Sequence, residues 1–327
     1  MRILRDRFSL SYLSIYRTHI MGVASIMILL CHAVGRGVEM PIIFRWILNF
    51  GNYGVDIFLF LSGLGLYYSL SDFYGNIITW YAKRYVRILT PYIIISLPYW
   101  TYYCVINKLS ILDFLYYFST IGFWCEHKGA WFVAMLLPLY LIAPILYKLV
   151  KYNDRRWLYA VIIFVVIGLF TMIPYNPNSI LSNLIFAYKR LPCFVLGMLI
   201  AYMVKTNKSI KVSNLLLLCV ILYTFYRLLK MINIDVSWFL MIPILSMVLL
   251  LVHSVRESVF SKVLFIFGTM SLELYLTNIY LGDLFYALQF PSRLLRYLVV
   301  LAVGVILSII ISKWSVLINR KLSKYII

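Results

Sequence analysis

What this chain can fold into is constrained first by a succession of long apolar windows. They run approximately from Ile20 to Val38, Val55 to Leu70, Val86 to Ile106, Trp131 to Leu149, Trp157 to Ile173, Leu181 to Val204, Val212 to Leu229, Ser237 to Val252, Val263 to Leu281 and Leu295 to Leu317, each bounded by charge, Pro, Asn or Gly. About 20 apolar residues in a helix cross the hydrocarbon core of a bilayer. The windows therefore predict an all-α, polytopic membrane bundle of about ten transmembrane helices with short connections. Charged residues make up 13% of the chain, against roughly 25% in a soluble domain, which excludes an ordinary soluble fold. The stretch Ile111 to Phe123 is short and aromatic, and reads as an interfacial or re-entrant segment. With no linker, low-complexity tract or evident repeat, residues 1–327 read as one membrane-embedded domain without a separate soluble domain. The first window follows Arg2, Arg5, Arg7 and Arg17 as a signal segment would, but it is long and lacks a small-x-small cleavage site, so it is expected to be retained.

The charge distribution sets an orientation. The chain has 30 Lys and Arg against 11 Asp and Glu, a net charge of +19, which on a soluble protein would suggest nucleic acid. In a polytopic protein the positive-inside rule explains it without nucleic acid. Ten spans with the N-terminus inside place a two-to-one majority of the cations on the cytoplasmic side, among them Arg17, Lys83, Arg84, Arg87, Lys205 and Lys208. Both termini are thus expected in the cytoplasm, in a multi-pass plasma (inner) membrane protein. The same charge attracts anionic lipids or an anionic cytosolic ligand. The 28 Tyr and 8 Trp are what aromatic belts at the two interfaces require.

Against this apolar background, ionisable residues inside windows cost on the order of 3 kcal/mol each and stand out as functional candidates. His32 lies in the first window, on a helical stripe with Ser25, Arg36 and Glu39. An intramembrane histidine marks a catalytic site or proton path, or is satisfied by a neighbouring helix. Glu273 lies well inside the ninth window, either bonded to another helix or available to hold an acceptor hydroxyl or orient His32. Arg84 and Arg87, in WYAKRYVRILTPY, share one helical face. Two guanidiniums suit the phosphates of a nucleotide-bearing ligand such as coenzyme A, and equally suit a positive-inside anchor.

Several further residues carry two readings. In GNYGVDIFLFLSGLG, Asp56 is a site residue or a helix-dipole partner, and Ser62 with Gly63 reads better as close helix packing. In the external stretch FWCEHKGAWF, Glu126 and His127 sit among Trp124 and Trp131, a set of aromatic faces and carboxylate that can receive a sugar and that membrane-surface loops also have. His19 and His253 sit at cytoplasmic ends and are expected to be solvated. The five Cys have no metal-ligand spacing, so no metal is expected, and Cys104 with Cys125 is the one disulfide the topology allows. The absence of GxxxxGK[ST], GxSxG and HExxH removes the usual support for NTPase, serine-hydrolase and zinc-protease chemistry.

From about Arg17 to Leu281 the chain resembles the acyltransferase-3 family of integral-membrane O-acyltransferases, of the polysaccharide O-acetyltransferase kind. The resemblance is carried, in order, by YRTHIMGVASIMILLCH, GVDIFLFLSG, RYVRILTPY, GAWFVAMLLPLYLIAPIL, RLPCFVLGM and GTMSLELYL. It implies ten helices, a cytosolic acyl-CoA (most simply acetyl-CoA) as co-substrate with no bound cofactor, and a hydroxyl of a surface polysaccharide or lipid-linked glycan as acceptor. His32 matches the family's essential histidine, and Arg84 and Arg87 match its RxxR pair. Two positions depart from the family pattern. Met21 stands where an Arg is common, with Arg17 one turn earlier able to supply the charge, and Asn278 stands where many members have His. Asn278 can hydrogen-bond but cannot take a proton near neutral pH. The resemblance implies that His32 acts as general base or carries the acyl group itself. Two rivals remain at this stage: a transporter or flippase of a lipid-linked sugar, which should show inverted repeats, and a scaffold subunit, for which His32 and Glu273 would be needless.

Overall fold

The computed structural model describes residues 7–177, 179–206, 209–286 and 288–325; Arg2, Arg5 and Lys208 lie outside them. The described chain is helical apart from two three-residue strands. Strand β1 (Arg7–Ser9) leads into α1 (Tyr12–Ile15), α2 (Arg17–Gly35), the short α3 (Ile42–Asn49) and α4 (Tyr53–Ser71). Next come α5 (Ile77–Ile106), α6 (Ile111–Phe118), α7 (Ile121–Glu126), α8 (Trp131–Tyr152), α9 (Arg156–Phe170), α10 (Ile180–Tyr188) and α11 (Leu191–Lys205). Strand β2 (Ser209–Lys211) opens the last part, followed by α12 (Val212–Met231), α13 (Met241–Ser254), α14 (Val259–Thr269), α15 (Ser271–Tyr286) and α16 (Arg293–Ser323). The strands pair antiparallel, Phe8 opposite Ile210, which ties the segment before α2 to the segment after α11.

Every apolar window is helical, but not every one is a straight span. Among the described residues, seven helical stretches are long and apolar enough to cross a membrane, or eight if the bent pair α14 and α15 counts as one. That is fewer than the ten expected. Helix α9 has 15 residues, short of the usual crossing length. Helix α5 is long enough, but Tyr, Thr and its prolines 91 and 98 dilute its apolar content. The ninth window breaks at Met270, where α14 and α15 meet at 70°. Ile111 to Phe123 forms the two short helices α6 and α7, and α3, which no window anticipates, lays Ile42, Ile43, Phe44, Trp46 and Ile47 on the outer surface. All five cysteines are free, so the Cys104–Cys125 pairing is not made.

Two pairs of glycines bring the central helices together. A Cβ on Gly63 would lie 2.0 Å from the Phe194 carbonyl oxygen, and one on Gly197 would lie 2.0 Å from that of Phe60. Helices α4 and α11 therefore cross backbone to backbone. Gly22 and Gly268 do the same for α2 and α14, at 1.9 Å from Leu264 O and 1.8 Å from Thr18 O. Between helices in lipid there is little hydrophobic drive, so small residues that allow such contact supply the packing. Helix α4 is consequently buried on nearly all sides, from Gly54 through Leu61, while α12 exposes Leu217, Val220 and Phe225. An apolar exterior of that kind is what a lipid-facing helix needs.

Candidate active site

Helices α2, α4, α5, α8, α14, α15 and α16 surround a cavity of ≈ 410 Å³. Its floor is cationic. Arg17, at the first position of α2, reaches across to α4, where Nε and Nη2 both donate to the Leu61 carbonyl at 3.2 and 3.1 Å. Gly65 makes this possible, because a Cβ there would lie 2.6 Å from Arg17 Nη2. Arg84 and Arg87, one turn apart on α5, also line the cavity, with Glu273 facing them from the start of α15. Among the described residues none of these four side chains is in an ion pair, and the buried Nε of Arg84 has no hydrogen-bond partner. Guanidinium groups without a carboxylate partner, lining a cavity, have the chemistry to receive an anion.

The cavity extends along α2 from Arg17 to Ile28, about 16 Å at 1.5 Å per residue. Its far end is aromatic: Phe58, Phe132 and Tyr275 pack there, and Phe132 N donates to the Tyr275 hydroxyl at 3.1 Å. The break between α14 and α15 opens onto it through Gly268, Thr269 and Ser271. Interrupted helices in membranes occur where the freed backbone is buried in protein or faces a cavity. Ser62, read as packing, lines the cavity, whereas its neighbour Gly63 makes the close contact with α11.

His32 does not line this cavity. It lies one helical turn beyond Ile28, half-buried against α15, where Nδ1 meets Asn278 Oδ1 at 2.6 Å. In this orientation of the amide Nδ1 donates, which leaves the lone pair on Nε2, and the buried Nδ2 of Asn278 has no hydrogen-bond partner among the described residues. Nε2 makes no hydrogen bond to any described residue. Asn278, rather than Glu273, is thus the residue that orients His32. Arg36, one turn further along α2, donates from Nη2 to the carbonyls of Asn278 and Ile279 and pairs with Asp283 at 3.4 Å. Gly282 leaves the space for that guanidinium, since a Cβ would sit 1.9 Å from Arg36 Cζ. Tyr297 of α16 closes the seam by donating to the Leu29 carbonyl. The sequence stripe of His32 and Arg36 is therefore one continuous polar contact with α15.

The other candidate residues fall elsewhere. Asp56 is buried against Arg190, Nη1 to Oδ2 at 3.3 Å, and Arg190 also donates to Asn52 O and Oδ1. This is an internal ion pair joining α4 to the start of α11; neither residue lines the cavity, although the neighbouring Val55 does. Glu126 pairs with Lys128 at 2.8 Å on the surface, and that hydrogen bond holds its carboxyl below the usual range. Trp131 packs edge-on against Phe186, with Arg190 above its ring. The structure brings neither Glu126 nor Trp131 to the cavity. His19 packs among the Tyr16 and Phe265 rings with Nδ1 buried, which corrects its expected solvation. Among the described residues no three His, Cys, Asp or Glu cluster as metal ligands. Tyr140, Ser315 and Asn319 line the cavity without having stood out in the sequence. Hydroxyls and amides are common in such helices, and their sharing one volume is a tertiary fact.

A multi-pass helical membrane protein with a cationic internal cavity and an oriented histidine one turn past its end is the class that fold and site define. The family model described as Acyltransferase domain matches residues 20–313. The chain belongs to that acyltransferase-3 family, and it is a membrane acyltransferase. Neither the curated proteins nor the solved structures searched contain a match.

Proposed function

We propose that the chain is an O-acyltransferase that moves an acyl group, most simply acetyl, from cytosolic acyl-CoA to a hydroxyl of an extracytoplasmic polysaccharide or lipid-linked glycan. The observation that carries this reading is the alignment of Arg17, Arg84 and Arg87 along one cavity that runs beside α2 toward the His32–Asn278 pair. In this reading the donor phosphates rest on the guanidiniums and the pantetheine arm passes Glu273 and Ser315 toward Phe58, Phe132 and Tyr275. The acceptor arrives from the opposite side, where His32 Nε2 is free.

The chemistry requires one proton to move. Nε2 takes the proton of the acceptor hydroxyl as its oxygen attacks the thioester carbonyl; the C–S bond breaks, the thiolate receives that proton from the imidazolium, and an ester and free CoA result. Asn278 holds the ring tautomer in which Nε2 is basic. It cannot itself take the proton. We further propose ten crossings, both termini cytoplasmic, and residence in the plasma membrane. Pairing of β1 with β2 supports an even number of crossings between residues 9 and 209, as six of the ten windows require.

The test is transfer of label from acetyl-CoA in membranes that contain the surface glycan, with wild-type or His32→Ala protein at equal abundance. Label in the glycan that is lost with His32→Ala is expected; activity retained by the variant removes His32 from the mechanism. Absence of label in wild type, with acetyl- and succinyl-CoA both supplied, favours a transporter. Arg84→Ala and Arg87→Ala should each raise the KM for acyl-CoA by about ten-fold or more with a smaller change in kcat, the loss of a charge-assisted hydrogen bond. An unchanged KM would leave them as topology anchors.

A further inference from the structure

A second histidine held by an asparagine occurs in the segment between α7 and α8, within the stretch whose composition allowed sugar contact, at a position the acyl-transfer chemistry does not use. His127 ends α7 in the left-handed backbone region, φ 59°, a conformation that is uncommon outside glycine although Asn, Asp and His adopt it more readily than other side chains. Its amide caps the helix on Phe123 O at 2.9 Å. Its Nδ1 meets Oδ1 of the buried Asn183 at 2.7 Å, and Asn183 Nδ2 donates to the Trp124 carbonyl at 3.0 Å. Both ends of the amide are used, so its orientation is settled. His127 Nδ1 therefore donates, and Nε2 of the neutral ring is an acceptor.

His127 lines a polar pocket of ≈ 270 Å³ together with Ser182, Phe186, Lys189, Tyr175 and Asp235. Lys189 Nζ and Asp235 Oδ2 are paired at 2.8 Å, and Asp235 Oδ1 accepts from Ser237 N at 3.0 Å. The adjacent Arg190 turns inward to Asp56, so Lys189 is the cation left to the pocket and Asp235 already neutralises it. Donors and acceptors alternate around one small volume with aromatic rings beside them. A pyranose, with hydroxyls at its edge and C–H groups on its face, presents that pattern, whereas an anion would meet no net charge. The volume lies just below the usual range of small-molecule pockets, which suits one ring.

We propose that this pocket is a subsite for one neutral sugar ring of the acceptor, separate from the ring that is acylated. The inference rests on the acyltransferase reading and adds a place for the acceptor that the cavity beside α2 does not provide. His127 Nε2 and the Asp235 carboxylate accept from sugar hydroxyls; Lys189 and Ser182 donate to sugar oxygens. The pocket shares no lining residue with the cationic cavity, so it binds and positions without touching the donor.

The test measures acyl transfer from labelled acetyl-CoA to polysaccharide extracted from the surface of the cell that makes the protein, varying each substrate separately. His127→Asn keeps a residue that tolerates the left-handed backbone but removes Nε2, and Asp235→Asn keeps the oxygen that caps Ser237 but removes the carboxylate. Each is expected to raise the KM for polysaccharide by about five-fold or more while the KM for acetyl-CoA stays within about two-fold. Wild-type elution and melting in detergent confirm that the variants fold; if one does not, the other decides. Transfer with an unmoved polysaccharide KM overturns the subsite alone, as does a rise confined to the acetyl-CoA KM. Absence of transfer by the wild type, with succinyl-CoA supplied as well, overturns the polysaccharide-acylation reading, and the subsite with it.

Discussion

Replacing Asn278 by Ala is the most direct probe of the link between structure and chemistry. The variant removes the acceptor of the 2.6 Å hydrogen bond from His32 Nδ1 and leaves that N–H unpaired within a helix seam. A neutral hydrogen bond contributes about 0.5–1.5 kcal/mol net, and a buried donor left without a partner costs about 1–3 kcal/mol. The unpaired ring can relieve that cost by rotating or by moving its proton to Nε2, and either change removes the base. A loss of about 1–3 kcal/mol in the transition state corresponds to a fall in kcat of roughly 5- to 150-fold. Asn278 does not line the cationic cavity, so the KM for acyl-CoA is expected to stay within about two-fold. Asn278→His places a ring nitrogen near the position of Oδ1 and is expected to retain most of the activity by accepting the same hydrogen bond. Steady-state kinetics with labelled acyl-CoA in membranes read both quantities. A kcat for Asn278→Ala equal to wild type would refute the claim that this hydrogen bond sets the tautomer. A raised acyl-CoA KM with unchanged kcat would move Asn278 into donor binding.

The remaining predictions concern the scaffold. Gly197→Val should lower the melting temperature in detergent, since even a Cβ there collides with the Phe60 carbonyl at 2.0 Å; overpacking of this kind costs about 1–3 kcal/mol or more, and an unchanged melt would deny the close crossing of α4 and α11. Arg190→Met strands the buried Asp56 carboxylate and should destabilise by about 3–5 kcal/mol, while adding Asp56→Leu should recover much of that loss; a double variant no better than the single would show that the pair is not what matters. Denaturation without reductant should make five thiols available to a maleimide, one for each free cysteine, and three would establish a disulfide.

The membrane class was legible because the signal is local and repeated. All ten windows are helical, and among the described residues seven or eight helical stretches are long and apolar enough by themselves to cross a membrane. The count of straight spans was less legible. Whether α9 crosses, how α5 carries three cations at its start, and where the ninth window bends depend on neighbouring helices, which a window of hydropathy does not contain. Helix α3 was hidden for the same reason: its apolar residues lie on a surface, and exposure has no signature in a short apolar run. Histidine in an apolar stretch is costly wherever it lies, which is why His32 stood out from composition alone.

Partnership is where sequence reading ran out. Orienting His32 was one of the roles open to Glu273, yet the five residues that separate it from Asn278 on α15 are about 7.5 Å along the axis. Asn278 looked like the weaker residue because it cannot take a proton. Only the approach of α2 to α15 gives it the orienting role. Asp56 and Arg190, 134 positions apart, form a buried pair for which neither local sequence offers a signal, and the Asn183 that orients His127 is likewise 56 positions away. What the chain by itself determined was its solvent, its helices, its family and the polar residues too costly to be idle. Which of those residues share a cavity, which pair with one another and which simply hold helices together was decided by tertiary packing, because those contacts join residues far apart in sequence through glycine-lined crossings whose geometry no single segment encodes.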